Sequence, residues 1–142
     1  VIIYFSLIIK NVWEATVMHY VSSDKVPKAI GPYSQAIKSS GFIFLSGQLP
    51  LELESGQVVS GSVEDQTLKV LENIAAILEA AGSDISKVVK TTVFVTDMAN
   101  FQAINKIYSQ FFGEHKPARS LIEVSALPKK EAMLEIEAIA VA

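Results

Sequence analysis

Residues 88–97, VVKTTVFVTD, are β-branched almost throughout and read as a central strand. Whatever this chain builds, it builds around a sheet. The segments on either side decide how that sheet is covered.

Ahead of it, IGPYSQAI (30–37) carries a Gly-Pro turn signal, and GFIFLSGQLPL (41–51) is a compact β-prone run closed by Gly47 and Pro50. Ser62 with Asp65 reads as a capping box. Behind it Val63, Val70, Leu71, Ile74, Ile77 and Leu78 recur at helical spacing, and Gly82 is placed to stop the helix. After the central strand, Asn100 is the expected cap of a second helix. That helix carries Phe101, Ile104, Tyr108 and Phe111 on one face, with Gly113 just past its end. Two strands, ARSLIEVSAL (118–127) and MLEIEAIAVA (133–142), close the chain around the turn PKKEA. The expected order is ββαβαββ, without repeat or linker. Two helices cover only one face of such a sheet, so the other face is expected to meet a second subunit. Half of the 142 residues are apolar and the mean hydropathy is +0.36, a surplus that fits such a buried face.

Composition removes several function classes. A net charge of −3 and a pI near 5.4 give no basic surface for nucleic acid. The absence of cysteine excludes disulfides, thiol nucleophiles and cysteine-ligated metals. His19 and His115 are far apart in the chain and form no ligand spacing, so no metal site is expected. The apolar run 1–9 is too short to span a bilayer, and its first charge, Lys10, follows it rather than preceding it as in a signal peptide. Residues 1–17 therefore read as an upstream extension, with an edge strand or a trimmed targeting segment as rival readings. The single domain is expected over 18–142, in the cytoplasm.

Three charged residues stand out. Arg119 lies inside KPARSLIEV, where strand alternation puts it on one face with Leu121 and Glu123. A lone half-buried guanidinium is costly. Either a carboxylate on an adjacent strand, with Glu123, Glu135 and Glu137 as candidates, neutralises it, or a bound ligand does. Glu135 and Glu137 leave the last strand on one face, which as a plain pattern is a solvated acidic face. Tyr33 and Phe101 read as packing, and the Ser46–Gly47 pair as turn chemistry.

The segments AIGPYSQAI, LSGQLPL, VVKTTVFVTDMANF, INKIYSQFF and PARSLIEVSALPKKEAMLEIEAIAV together resemble the Rid (YjgF/RidA) family of reactive-intermediate deaminases. The resemblance runs from about Met18 to the carboxyl end. It implies a chorismate-mutase-like α+β fold, a mixed β-sheet with two helices packed on one face. It also implies a homotrimer whose sheets face inward and whose ligand clefts lie between neighbouring subunits. By resemblance, Arg119 clamps a substrate carboxylate, and Glu135 manages the proton of an attacking water. Tyr33, Ser46 and Gly47 would line the cleft, and Phe101 would wall a neighbour's. The implied reaction is hydrolysis of 2-imino or enamine acids, such as 2-aminoacrylate and 2-iminopropanoate, to 2-keto acids and ammonia, without metal or cofactor. Several family members carry cysteine where this chain has Leu121, which removes thiol redox chemistry there and leaves the implied mechanism intact. A translation-inhibiting ribonuclease, or a non-catalytic metabolite-binding or chaperone-like trimer, are the alternatives; the acidic pI weighs against the first.

Overall fold

The computed structural model describes residues 17–142, so nearly all of the 1–17 extension lies outside the described residues. The elements are β1 (His19–Val21), β2 (Ala36–Ser39), β3 (Phe42–Gln48), α1 (Val63–Ala80), β4 (Val88–Val95), α2 (Phe101–Phe112), β5 (Ala118–Glu123) and β6 (Leu134–Val141). They form one six-stranded sheet in the order β1-β2-β3-β6-β4-β5. Neighbours are antiparallel except β4 and β5, which are parallel and joined through α2. Among the described residues no helix is long and apolar enough to cross a membrane.

The mixed sheet with two helices agrees with expectation, but three details differ. A third strand, β1, precedes the first helix. Its three residues are too few to carry a period, and only pairing with β2 makes it a strand. The last two strands are not neighbours, because β4 lies between β5 and β6. Finally, Asn100 makes no side-chain cap bond. Asp97 caps the 3-10 turn Met98–Asn100 that leads into α2, accepting from the Ala99 amide at 2.8 Å.

Helix α1 begins and ends as its sequence dictates. The Ser62 amide donates to Asp65 Oδ2 at 2.9 Å and the Asp65 amide donates to Ser62 Oγ at 3.2 Å. The Ser62 hydroxyl also donates to Asp65 Oδ2 at 2.9 Å, and the amide and hydroxyl bonds together hold the Asp65 carboxyl below its usual range. At the other end Gly82 adopts a φ of 79°, a left-handed conformation that a side chain would strain. The buried face of α1 (Val63, Val70, Leu71, Ile74, Ile77 and Leu78) packs on the sheet with Ile104, Tyr108 and Phe112 of α2.

Strand alternation sorts the two sheet faces. Leu134, Ile136, Ala138 and Ala140 of β6 and Thr91, Val93 and Val95 of β4 are buried beneath the helices. The opposite face presents Tyr20, Phe42, Phe44, Ile122 and Val141, all exposed, around Lys90, Thr92 and Glu137. With Phe44 at 47% exposure, this face remains open within one chain.

Removing the α1 cap gives a local test. Ser62→Ala should cost about 1 kcal/mol and lower the melting temperature by about 4 °C, whereas Ser62→Thr should keep most of the bond. An unchanged melting curve for Ser62→Ala would show that the cap does not limit stability.

Candidate functional site

Two separate cavities hold Glu135 and Arg119, while Glu137 lies outside both on the open sheet face. The first, about 500 Å³, is bounded by the 27–33 loop, the end of β3, Leu49 and Leu51, the turn before β6, and Glu135. It brings together Tyr33, Ser46, Gly47 and Glu135. The second, about 710 Å³ and more open, lies where α2 meets the start of β5, between Asn105, Tyr108, His115 and Arg119. Phe101, half-buried at the start of α2, lines neither.

Irregular chain surrounds the first cavity, and three buried carboxamides tie it down. Gln35 accepts from the Ser23 amide at 2.6 Å and donates to the Pro27 carbonyl at 3.0 Å, holding the loop that ends in Tyr33. Asn73 of α1 donates to the Leu49 and Leu51 carbonyls at 3.2 and 3.3 Å. Gln66 donates to the Glu131 carbonyl at 3.0 Å and accepts from the Met133 amide at 2.8 Å, fixing the turn that launches β6. Gln35 and Gln66 donate and accept at once while Asn73 donates twice, so each carboxamide engages at least two backbone groups of irregular chain.

At the cavity wall, a register shift between Leu45 and Gln48 breaks the β3–β6 ladder at Ser46 and Gly47. There the Glu135 carboxylate lies against the bare backbone of Gly47. A Cβ on Gly47 would sit 1.9 Å from Glu135 Oε1 and 2.8 Å from Cδ. Close approach, not backbone conformation, is what requires glycine here. Ser46 is more tethered than its expected role suggests: its hydroxyl donates to the Ser34 carbonyl at 2.6 Å and its amide to the Gln35 carbonyl at 3.0 Å. Tyr33 is 53% exposed, and its hydroxyl has no partner among the described residues. The Glu135 carboxyl is pushed above its ordinary range, first by burial and second by the charge of Glu137.

No anion lies beside Arg119 among the described residues. Among the described residues the ion pairs are Lys25–Glu79 and Lys69–Glu52. None of the three carboxylates considered from the sequence pairs with it. Glu123 accepts instead from the Met98 amide at 2.6 Å. Glu135 and Glu137 are two strands away and on the other face. Arg119 is in register with Thr91, which is buried under the helices, whereas Glu135 and Glu137 are in register with Phe94 and Thr92 on the open face. The guanidinium carbon lies 4.8 Å from the centroid of the Tyr108 ring. Sequence reasoning saw Tyr108 only as part of an apolar helix face and the PKKEA segment only as a turn, although Lys129 in that turn lines the Glu135 cavity. Contacts between α2 and β5 leave no signal in either segment alone.

With this geometry in view, comparison with known proteins is informative. Residues 23–142 match the family model described as endoribonuclease L-PSP. A RutC family protein of Pyrococcus horikoshii is 52% identical over 120 residues, which cover 84% of this chain and 94% of that protein. The human protein named 2-iminobutanoate/2-iminopropanoate deaminase is 46% identical over 121 residues, covering 85% of this chain and 88% of that one. Among solved structures, Escherichia coli TdcF with bound serine superposes with a TM-score of 0.82 at 42% identity, covering 87% of this chain and 98% of that one.

The raised Glu135 carboxyl has a pH signature. Its folded-state pKa lies above its unfolded value, so the folded chain binds this proton more tightly. This contribution is present in full below the ordinary value of about 4.5 and is lost as pH rises through the raised folded value. Urea midpoints of wild type and Glu135→Gln, measured from pH 4 upward, should converge toward low pH and separate with the variant higher above that window. Parallel curves would count against a carboxyl strained by burial.

Proposed function

The chain belongs to the Rid/YjgF family, described also as endoribonuclease L-PSP, and on that premise we propose that it hydrolyses reactive 2-imino acids to 2-keto acids and ammonia. The observation that carries this reading is the unneutralised guanidinium of Arg119. It is half-buried, without a carboxylate partner among the described residues, and its edge of five N–H donors matches a substrate carboxylate.

Arg119 and Glu135 occupy opposite faces of one sheet, so a single chain cannot present both to one small substrate. The reading therefore takes the active cleft to form between two copies in a homotrimer, with the open apolar sheet faces turned inward. Arg119 comes from one subunit, and Glu135, Gly47 and Tyr33 from its neighbour. The half-exposed Phe101 belongs to the wall of that composite cleft. The substrate class follows the relatives named for 2-iminobutanoate and 2-iminopropanoate.

In the reaction, Arg119 fixes the carboxylate so that the C=N carbon faces a held water. Glu135 removes a proton from that water as its oxygen bonds to the imine carbon, and the C=N electron pair moves to nitrogen. The resulting carbinolamine takes the proton back from Glu135 on nitrogen. The C–N bond then breaks as the hydroxyl proton passes by way of Glu135 to the departing nitrogen, so that ammonia leaves and the ketone forms. A carboxyl raised toward neutral pH suits both directions of this transfer. Tyr33 offers its free hydroxyl to the substrate. Ser46 acts by holding the Gly47 backbone rather than by donating its own proton, which the Ser34 carbonyl takes. Imines already hydrolyse in water, so a sparse site is sufficient.

A serine or threonine dehydratase supplies the imine, and semicarbazide competition reports keto-acid release. Wild type should accelerate release, and Arg119→Ala should abolish the acceleration while the trimer persists by light scattering. Equal activity in Arg119→Ala would defeat the proposal; loss of the trimer in that variant would point to a structural arginine. Gly47→Ala should displace only the flexible end of Glu135. It should therefore lower kcat about 100-fold, as loss of a general base does, with a nearly unchanged melting temperature. The family's ribonuclease description supplies a second reading, tested by RNA cleavage that vanishes in Arg119→Ala.

A further inference from the structure

Arg119 must be held in one orientation before substrate arrives, yet nothing charged among the described residues holds it. A long arginine side chain left free gives up rotamer entropy on each binding event. A carboxylate partner would remove that cost but would compete for the same N–H edge that the substrate needs. An aromatic ring avoids the conflict. It attracts the flat face of the guanidinium and leaves the edge donors open.

Tyr108 is placed to do this. Its ring is 8% exposed, lies 4.6 Å from the Phe112 ring, and sits beneath the Arg119 guanidinium at 4.8 Å. Its hydroxyl and that of Thr91 share a hydrogen bond of 2.8 Å. Thr91 is 1% exposed and stands on β4 directly beside Arg119 in the parallel β4–β5 register. The central strand thus holds the ring, and the ring holds the arginine of the next strand. Burial keeps the phenol protonated above its usual range, opposed by the Thr91 bond and the Arg119 charge.

We propose that Tyr108, anchored through its hydroxyl to Thr91, is a positioning residue that pre-orients the Arg119 guanidinium for a carboxylate without using its hydrogen-bond donors. The inference rests on the reading of Arg119 as the carboxylate clamp. It assigns Tyr108 an effect on affinity rather than on the chemical step, because the ring touches neither the imine carbon nor the attacking water.

The test uses the intact protein and the stable keto acid 2-oxobutanoate as probe, with binding read by calorimetry, turnover by keto-acid release, and the Arg119 Nε–H group by proton–nitrogen correlation spectra. In Tyr108→Leu the Kd for 2-oxobutanoate and the KM should rise about 5- to 30-fold with kcat within about threefold, and the Arg119 Nε–H resonance should lose its upfield ring-current shift. Tyr108→Phe keeps the ring and should retain that shift and most of the affinity. Thr91→Val, nearly isosteric, removes the anchor and should raise KM about 2- to 5-fold; it decides the matter if Tyr108→Leu does not fold. Wild-type affinity in folded Tyr108→Leu or Thr91→Val, or a fall in kcat at constant KM, overturns the positioning role alone, provided Arg119→Ala still loses the probe. Wild-type affinity in Arg119→Ala overturns the clamp itself, and the positioning role with it.

Discussion

The alternation of β6 is the constraint on which the rest of this structure depends. This strand pairs with β3 on one side and β4 on the other, joining the amino-terminal strands to the β4–β5 half. Leu134, Ile136, Ala138 and Ala140 are all buried on the helix side. A slip of one residue would place Glu135 and Glu137 in the core and turn four apolar residues outward, which no compensating contact could offset. The hydrophobic core therefore fixes where Glu135 points. The candidate site inherits its geometry from packing that has no chemical role of its own.

The same alternation divides the charged residues. On β5 it sends Arg119 toward the helices, and on β6 it sends Glu135 away from them, with β4 between. One sheet thus carries Arg119 and Glu135 on opposite faces. Its second face is also left with exposed Phe42, Phe44 and Ile122, apolar area that two helices on the far side cannot reach. Both features bear on the proposed homotrimer, in which covering the open face would also bring one chain's arginine toward another's glutamate.

Much of this was legible in the sequence, for local reasons. The capping box at Ser62 and Asp65, the helical spacing through Leu78, the stops at Gly82 and Gly113 and the β-branched run from Val88 depend on neighbours within a few residues, and each appears where the pattern put it. Strand order does not depend on neighbours. The turn PKKEA joins two β-prone runs, 118–127 and 133–142, without revealing their order; the first strand ends at Glu123, and β6 pairs with β3 and β4 rather than with β5. Arg119 was visible as a charge in a strand, but its partner was not. Tyr108 looked like one more apolar contact on a helix, and only the α2–β5 packing reveals it as the surface on which the guanidinium rests. The cavity around Glu135 was likewise hidden. The amides that hold it, Gln35, Gln66 and Asn73, are polar residues at buried positions, which a pattern of hydrophobicity reads as errors.

Those amides and the Tyr108 ring share a physical property: they are neutral. Each fixes a charged residue or a loop beside it without introducing a counter-charge. An ammonium group tying down the turn before β6 would stabilise ionised Glu135 and pull its pKa down, against the direction that burial gives it. A carboxylate fixing Arg119 would occupy the donors that a ligand must use. Neutral scaffolding leaves the guanidinium without a carboxylate partner among the described residues and leaves the upward shift of the half-buried Glu135 carboxyl unopposed. A 2-imino acid presents the matching pattern: a carboxylate at one end and, one bond away, a carbon whose hydration requires a proton to leave water and reach nitrogen. On the proposed reading, this arrangement of charge, more than any single contact, is what would suit the fold to that chemistry.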